Sequence, residues 1–395
     1  MVRRVESHLV RANDLEPAAW HHQLLAQCPL HRETAHDPPF YVVSRHADVL
    51  AMLTEPEQWN NRDGSGVYYQ ENGVLGSADG DDHRRQRKVL QDGFRPKAVE
   101  ALAPRVDAIG EQLWSAAFAE DGAGDFVSLF AFPFPAVVIA ELLGVAAEQR
   151  DQFGAWSSDI VNGLGGGDLR LVEAASAGIF AIVDELVGQR RAMIDDGEEL
   201  PDDIVSVLTT ALLAGEVNHG EVRRLCLLLL VAGHETTASL ISLMLYRLIQ
   251  QPELVAALRA DAALIAPAVE EFLRFDSPVQ GLFRTNAAAC SVHGETIETR
   301  TKVQLLFAAA NRDPRVWDDP DEIRFDRASG RPHLAFGWGV HHCIGAPLAR
   351  REGQLALRFI VERFDTVELT GPVVVNEPFI LRGLNTMPIR WTVRR

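Results

Sequence analysis

The sequence predicts a mainly α-helical chain with a smaller β portion, an α+β protein organised as one large domain over residues 1–395. Three features support this prediction. Amphipathic, alanine-rich runs fill most of residues 83–213, and a long apolar run of helical length follows them. Strand-like alternation of apolar and polar residues is concentrated in residues 284–306 and again after Thr366.

The elements can be assigned in chain order. The string "PFYVV" (39–43) predicts a strand, and Ser44 is expected to cap a helix over "RHADVLAML". The polar residues 60–82 predict a long loop, and loops of this length often carry function. Helices follow, with breaks predicted at "GAGD" (122–125), "GLGGGD" (163–168) and "DDGEELPDD" (195–203).

The longest predicted helix runs from about His219 to Gln251 and is apolar on nearly every face near its middle. Such a helix is expected to cross the core. Its most apolar part, Leu225–Gly233, is much shorter than the about 20 residues that a membrane span needs. A further helix is predicted over Pro267–Phe275.

The N-terminal string "MVRRVESHLV" lacks the apolar core of a signal peptide, so we expect a cytoplasmic protein without a membrane anchor.

Charge and cysteine content narrow the class of protein. The formal net charge is -17, which argues against nucleic acid as a general partner and favours solubility. The four cysteines are Cys28, Cys226, Cys290 and Cys343, and they show neither close pairing nor a C-x-x-C motif. A disulfide framework is therefore not expected, and a reducing compartment is.

One cysteine stands in an unusual frame. Cys343 lies in "FGWGVHHCIG", with two glycines before it and one after it, and a strongly helical stretch follows directly. A helix N-terminus stabilises a thiolate through its unbonded N–H groups and its dipole. The residues alone leave four alternatives: a buried structural cysteine, a zinc site with His341 and His342, a nucleophile, or a thiolate ligand to haem iron. Adjacent histidines cannot wrap one tetrahedral ion well, and no base is suggested for a nucleophile.

The long helix carries polar residues where it should be most buried, in "AGHETTAS" (232–239). Gly233 in a helix interior costs about 1 kcal/mol relative to alanine, and Glu235 in an apolar helix requires hydration or a partner. Thr236 can bond back to a carbonyl and bend the helix. The three residues together form a notch with a hydroxyl and a proton donor, although a merely kinked helix would show the same letters.

Charged pairs elsewhere are weaker signals. Glu271 and Arg274 stand at i, i+3 in "EEFLR" and share a helix face, as a surface ion pair also would. His83 and Arg87 stand at i, i+4, and Arg284 lies in a predicted strand. Each of these charges, taken alone, is as well explained by solvation.

The cysteine string resembles the haem-binding signature of the cytochrome P-450 family, F-G-x-G-x-H-x-C-x-G. The matching residues are Phe336, Gly337, Gly339, His341, Cys343 and Gly345. The resemblance extends from about residue 40 to the end of the chain and implies a helical domain that encloses a haem. It implies that Cys343 binds the iron of haem b, that Ala232 lies on the cofactor, and that Glu235 and Thr236 are the acid–alcohol pair of oxygen activation.

The same resemblance implies further roles. It places His83, Arg87, Arg284 and His341 at the haem propionates, and it makes Glu271 and Arg274 a buried structural pair with Arg327 as the best third member. The implied substrate pocket is apolar, which suggests a lipophilic small molecule; its residues are Leu228, Val231, Ala232, Leu282, Phe283 and Ile380. The loop 60–82 and the "GLGGGD" break are expected to cover that pocket.

The family implies a monooxygenase that inserts one oxygen atom of O2 into its substrate. No reductase portion is recognisable, so electrons are expected from NAD(P)H through a ferredoxin reductase and an iron–sulfur ferredoxin, with the enzyme as a monomer. A basic docking patch is expected from Arg84, Arg85, Lys88, Arg95, Lys97, Arg350, Arg351 and Arg358. The alternatives are a peroxygenase or dehydratase on the same scaffold, and a haem-based sensor or ligand carrier without turnover.

Overall fold

The helices of the chain account for most of its residues, as the sequence predicts. The computed structural model describes residues 15–16, 18–164, 169–327, 332–376 and 379–395. In that part the α-helices are α1 (Ala18–Gln27), α2 (His46–Thr54), α3 (Gly80–Leu90), α4 (Pro96–Phe118), α5 (Pro133–Leu143), α6 (Arg150–Leu164), α7 (Leu169–Asp195), α8 (Ile204–Leu213), α9 (His219–Gln250), α10 (Pro252–Ala260), α11 (Ile265–Phe275), α12 (Phe307–Ala310) and α13 (Ala346–Arg363).

The strands are short. They are β1 (Leu30–Glu33), β2 (Phe40–Val43), β3 (Trp59–Asn60), β4 (Gly122–Asp125), β5 (Leu282–Asn286), β6 (Cys290–Val292), β7 (Glu295–Ile297), β8 (Lys302–Leu305), β9 (Phe364–Leu369), β10 (Val374–Val375), β11 (Leu384–Thr386) and β12 (Pro388–Val393). The predicted α+β class is therefore confirmed, including the two regions of strand-like alternation.

The chain divides into two compact units. The first comprises the described residues of Met1–His83, Ala262–Ile344 and Val375–Gly383, and the second those of Arg84–Asp261, Gly345–Val374 and Leu384–Arg395. The organisation of residues 1–395 as a single domain stays a prediction. The N-terminal string "MVRRVESHLV" and residues 165–168 of the predicted "GLGGGD" break lie outside the described residues.

The first unit is built on a five-stranded sheet in the order β1-β2-β8-β5-β3. Strands β2 and β8 pair in parallel, and β8 pairs antiparallel with β5, so that Arg284 stands opposite Val303. One face packs on a core that includes Val43, Val303 and Leu305. This sheet positions Arg284 and the strand residues around it.

The second unit is a helical bundle around α9, which packs against α5, α6, α7, α8 and α13. A three-stranded sheet, β4-β12-β9, belongs to the same unit. Helix α9 is the one helix in the described part that is long and apolar enough to cross a membrane, and 61% of its most apolar window is buried inside the protein. Burial on nearly every side is what its sequence predicts, and its bounds agree with the prediction to one residue at the C-terminus.

One local prediction is wrong. Ser44 does not cap helix α2: the N-cap is Arg45, and the amide of His46 is bonded instead to the Asp313 carboxylate at 3.1 Å. The helix break predicted at residues 122–125 is confirmed, and these residues form strand β4, antiparallel to β12. A side chain at Gly122 would come within 2.6 Å of the Trp391 ring, so its glycines serve the close approach of that ring.

The start of helix α9 is fixed by a buried carboxylate. The Asn218 side chain accepts a bond from the Glu221 amide (3.0 Å), and the Glu221 carboxylate accepts one from the Asn218 amide (2.8 Å), which forms a capping box. Arg85 and Gln86 of α3 also donate to Glu221, at 2.6 and 2.9 Å. Burial alone would raise the pKa of Glu221, but these hydrogen bonds lower it to about 2.

We expect Glu221→Gln to lower the free energy of unfolding by about 3 kcal/mol at pH 7, because each unit of pKa shift corresponds to about 1.4 kcal/mol. The folded-state pKa is depressed, so the stabilisation is present above the unfolded-state pKa and is lost as the pH falls from about 4.5 towards 2. Urea unfolding at several pH values checks this. Exposed Glu216 is the matched control, and a Glu221→Gln deficit that persists unchanged at pH 3 would contradict the assignment.

Candidate active site

The cysteine loop lies in the first unit and is closed by backbone hydrogen bonds. The Cys343 amide donates to the Phe336 carbonyl at 2.9 Å, and the Gly337 amide donates to the Leu334 carbonyl at 2.9 Å. The Cys343 side chain is exposed, whereas Cys28 and Cys226 are buried and Cys290 is half-buried. None of the four cysteines, all within the described part, is in a disulfide. The loop therefore presents one thiol on a tightly turned backbone.

Two glycines make this turn possible. Gly337 and Gly339 have φ angles of 65° and 70°, in the left-handed region that side chains disfavour. A Cβ atom on Gly339 would also lie 2.6 Å from the Leu53 carbonyl oxygen. Gly345, at φ -81°, is in a conformation open to any residue, so the expected backbone freedom is used at Gly337 and Gly339 but not there.

His341, two residues before the cysteine, belongs to a polar cluster. Its Nε2 donates to the Asp79 carboxylate at 2.8 Å, and its ring lies 4.3 Å from that of His83. Asp79 also accepts a bond from the Asn61 amide. Burial alone would raise the pKa of Asp79, but the bonds from His341 and Asn61 hold it below its usual range. His341 Nδ1 is buried and bonds to no atom of the described residues.

Arg284 joins this cluster from strand β5. Its side chain is buried; burial lowers its pKa to about 10, and the Asp79 carboxylate opposes that shift. Arg284 therefore remains cationic at neutral pH. The first unit thus brings together three of the predicted propionate residues, His83, Arg284 and His341, together with Asp79. Arg87 lies in the second unit and is half-buried on α3.

Alternation along β5 separates two predicted pocket residues. Leu282 and Arg284 point to one face and Phe283 to the other. Phe283 is completely buried in a core cluster and meets the Phe40 ring edge-on at 5.0 Å. That Phe283 lines the pocket stays a prediction, since Ile380 packs against the same cluster. Leu282 and Ile380 are half-buried.

Helix α9 in the second unit carries the remaining predicted residues. Leu228, Val231, Glu235 and Thr236 are half-buried, and Ala232 is exposed. The Thr236 hydroxyl donates to the Ala232 carbonyl at 2.6 Å. Its oxygen can still accept hydrogen bonds, because the hydroxyl proton alone is used.

A buried ion-pair network of the first unit joins helix α11 to residues 311–327. Glu271 forms a bidentate pair with Arg274, with both bonds at 2.8 Å. Arg327 donates to Glu271 at 2.8 Å, so the third member expected from the sequence is in contact. Arg274 also donates to the backbone carbonyls of Asn311, Pro320 and Glu322. The network ties helix α11 to the segment that precedes the loop.

Six of the eight basic residues predicted to dock a redox partner divide into two groups; of the other two, Arg84 is exposed and Arg350 half-buried. Arg85 is bonded to Glu221, Arg95 to Asp92, and Arg351 to Asp107. Lys88, Lys97 and Arg358 are exposed on α3, α4 and α13. The predicted patch is therefore partly neutralised by the protein's own carboxylates.

Comparison with known proteins identifies the family of the chain independently of the site geometry. The family model for cytochrome P450 matches residues 137–391. The chain belongs to the cytochrome P450 family. It is similar to vitamin D(3) 25-hydroxylase of Pseudonocardia autotrophica, with 34% identity over 384 residues that cover 93% of this chain and 91% of the relative.

Two further similarities support the assignment. The chain is 35% identical to 6-deoxyerythronolide B hydroxylase of Saccharopolyspora erythraea over 343 residues, 86% of this chain and 81% of the relative. The structure of cytochrome P450 CYP109Q5 from Chondromyces apiculatus matches with a TM-score of 0.85 at 32% identity, covering 99% of this chain and 98% of that one. The protein is a P450 monooxygenase, and the sensor, carrier, peroxygenase and dehydratase alternatives are not favoured.

The residues of the first unit fit the family's haem-thiolate cofactor. A thiol stands on a closed loop, and the buried cation Arg284 lies in the Asp79 cluster, where a carboxylate would be recognised. The zinc alternative lacks ligands, because no group of three or more His, Cys, Asp or Glu side chains in the described residues is placed to hold a metal ion.

Asp79 is not among the site residues predicted from the sequence. It stands four residues before His83 in "ADGDDH", a run that reads as an ordinary acidic helix start. Its partner His341 is 262 residues away, so the sequence contains no local signal of the contact.

Glu271→Gln should lower the free energy of unfolding by about 3–5 kcal/mol, because it leaves two arginines without their carboxylate, and Arg274 is deeply buried. Chemical denaturation of the haem-loaded protein checks this. Glu270→Gln is the matched control, since neighbouring Glu270 is half-buried and is placed 3.2 Å from His333. Equal stabilities of the two variants would contradict a special role for the Glu271 network.

Proposed function

We propose that this P450 oxidises a lipophilic small molecule in the cytoplasm, with Cys343 as the thiolate ligand of haem b. The observation that supports it most strongly is the closed cysteine loop, whose left-handed glycines hold an exposed thiol next in sequence to the His341 cluster. When bound, the haem supplies the oxygen and electron chemistry, and the protein supplies orientation and protons.

Phe336, Gly337 and Gly345 frame the ligand in this proposal, and charge pairing holds the propionates. Arg284 is buried and cationic, so an anionic carboxylate beside it would form a charge-assisted hydrogen bond. His341, His83 and Arg87 are assigned to the same role. Asp79 holds the orientation of the His341 ring through the 2.8 Å bond.

Delivery of protons to the active site is assigned to two residues of helix α9. Thr236 keeps its oxygen available to accept a bond from water, since its own proton goes to the Ala232 carbonyl. Glu235 is half-buried one residue away, where a carboxyl can relay protons from solvent. Ala232, next to this pair on the helix face, is assigned to contact with the cofactor. Loss of either polar group should impair proton delivery more than substrate binding.

The residues predicted to line the pocket support a lipophilic substrate. Leu228, Val231, Leu282 and Ile380 are apolar and half-buried, and such surfaces favour apolar ligands. The relatives named above are hydroxylases of vitamin D(3) and of 6-deoxyerythronolide B. We assign a large lipophilic substrate to this chain, admitted past the segment between β3 and α3.

The electrons for the reaction are assigned to a separate redox protein, which delivers them to the enzyme. Bacterial P450s use redox partners, and we propose an acidic iron–sulfur ferredoxin that is reduced by NAD(P)H through its reductase. The exposed cations Lys88, Lys97 and Arg358 would attract such a partner and mainly raise its association rate. The enzyme is assigned as a monomer.

Cys343→His should replace the thiolate-type spectrum of the reduced, carbonyl-bound protein by one of the nitrogen-ligated kind, and Cys343→Ala should abolish thiolate ligation. Difference spectroscopy of the purified proteins is the measurement. Cys290→Ala, at a half-buried thiol, is the control and should leave the spectrum unchanged. A thiolate spectrum that survives in either Cys343 variant would refute the ligand assignment.

Thr236→Ala should still bind substrate and consume O2, but the product formed per NAD(P)H should fall about tenfold or more, with peroxide released instead. The measurement is product, peroxide and NAD(P)H consumed with redox partners supplied. Thr237→Ala, at a buried neighbour on the same helix, should keep its coupling. Wild-type coupling in Thr236→Ala would remove the proton role from this residue.

A further inference from the structure

His234 is a buried histidine that the proposed chemistry does not use. It lies in helix α9 between Gly233 and Glu235, and its side chain is completely buried. Its Nε2 is 3.1 Å from the Phe132 carbonyl oxygen, and its ring meets the Phe132 ring edge-on, with centroids 4.1 Å apart. The bond joins residues 102 positions apart in the chain, so it is a tertiary tether of the helix.

The chemistry of this contact fixes the tautomer. A carbonyl oxygen only accepts, so Nε2 carries the hydrogen and donates it. Burial lowers the pKa of His234 to about 4, which keeps the ring neutral near neutral pH. Nδ1 is therefore unprotonated, and it bonds to nothing in the described part of the chain. The one polar contact that the structure gives this ring is thus a single, directed hydrogen bond.

The neighbouring glycine makes a second contact at the same place. A Cβ atom on Gly233 would lie 3.3 Å from Ile139 Cδ1, so the glycine allows α5 to pack closely on α9. Phe132 immediately precedes α5 and follows a π-helical turn, Val127–Ala131. Two adjacent residues of α9 therefore fix it against one short segment of the second unit.

The tether lies opposite Thr236, one of the two residues assigned to proton delivery, while Glu235 lies about 100° from His234. In a helix of about 3.6 residues per turn, residues 232 and 236 share a face, and residue 234 lies about 200° from each. The burial pattern agrees: Ala232 is exposed and Thr236 half-buried, while His234 is inaccessible to solvent. A hydrogen bond on the far side of the helix controls how far the near side can rotate.

We propose that His234 is a positioning residue: its Nε2–H bond to the Phe132 carbonyl sets the rotation of helix α9 and thereby the placement of Thr236 and Glu235. The inference rests on the proposed proton role of those two residues. It adds a residue that touches neither substrate nor cofactor and acts through the helix alone.

The test compares two amides that differ in reach. His234→Gln places its amide nitrogen near the position of Nε2 and keeps the bond, whereas the shorter His234→Asn amide stops near Nδ1 and loses it. In the haem-loaded enzyme we expect amide hydrogen exchange of residues 232–237 to be about tenfold faster in His234→Asn, the equivalent of one net hydrogen bond. Product per NAD(P)H should fall about tenfold, since small misplacements near the chemistry are costly. His234→Gln should match the wild type in both.

Controls separate position from packing. Phe132→Leu keeps the carbonyl and removes the ring contact, so its coupling should stay within about twofold of the wild type. Ser242→Ala removes a buried hydrogen bond two turns along the same helix and should leave coupling unchanged. If His234→Asn fails to fold, His234 has a structural role only and the proposal is wrong.

Equal coupling in His234→Asn and the wild type would also overturn the proposal, with or without faster exchange. Failure of the proton role gives a different result: Thr236→Ala would keep its coupling, while the exchange contrast between His234→Asn and His234→Gln would remain. The exchange measurement therefore tests the tether separately from turnover.

Discussion

Helix α9 is apolar on nearly every face, and this single property constrains the second unit. A helix of this kind is stable in water only when other elements cover it, which explains why α5, α6, α7, α8, α10 and α13 pack around it. Each polar group inside such a helix needs a hydrogen bond or costs free energy. Glu221 meets this requirement with a capping box and Arg85, His234 with a backbone carbonyl, and Thr236 with the helix itself.

The first unit follows a different rule, because its buried charges are paired. Glu271 binds Arg274 and Arg327, and Asp79 binds His341 beside Arg284. Breaking a buried pair by removing one member is costly, so these side chains hold their geometry firmly. The same carboxylate that orients His341 also stabilises the charge of Arg284, so orientation and charge in this cluster depend on one residue, Asp79.

The sequence predicts most of the fold, because helix periodicity and apolar length are local properties. The bounds of α9 and the strand of residues 40–43 show this. The errors arise where a distant partner decides. Ser44 does not cap its helix because Asp313 bonds the amide instead, and the contacts of Asp79 and His234 are 262 and 102 residues away in the chain. The cysteine loop was the exception, since its glycine spacing is specific enough to predict the local frame.

The alternation of side chains along strand β5 gives neighbouring positions different tolerance to substitution. Leu282 lies on the same face of the strand as Arg284, whereas Phe283 packs against Phe40 on the opposite face. Shortening the Phe283 side chain would leave a cavity against Phe40 and is expected to destabilise the first unit. A substitution at Leu282 is expected to cost less stability, because this side chain is only half-buried.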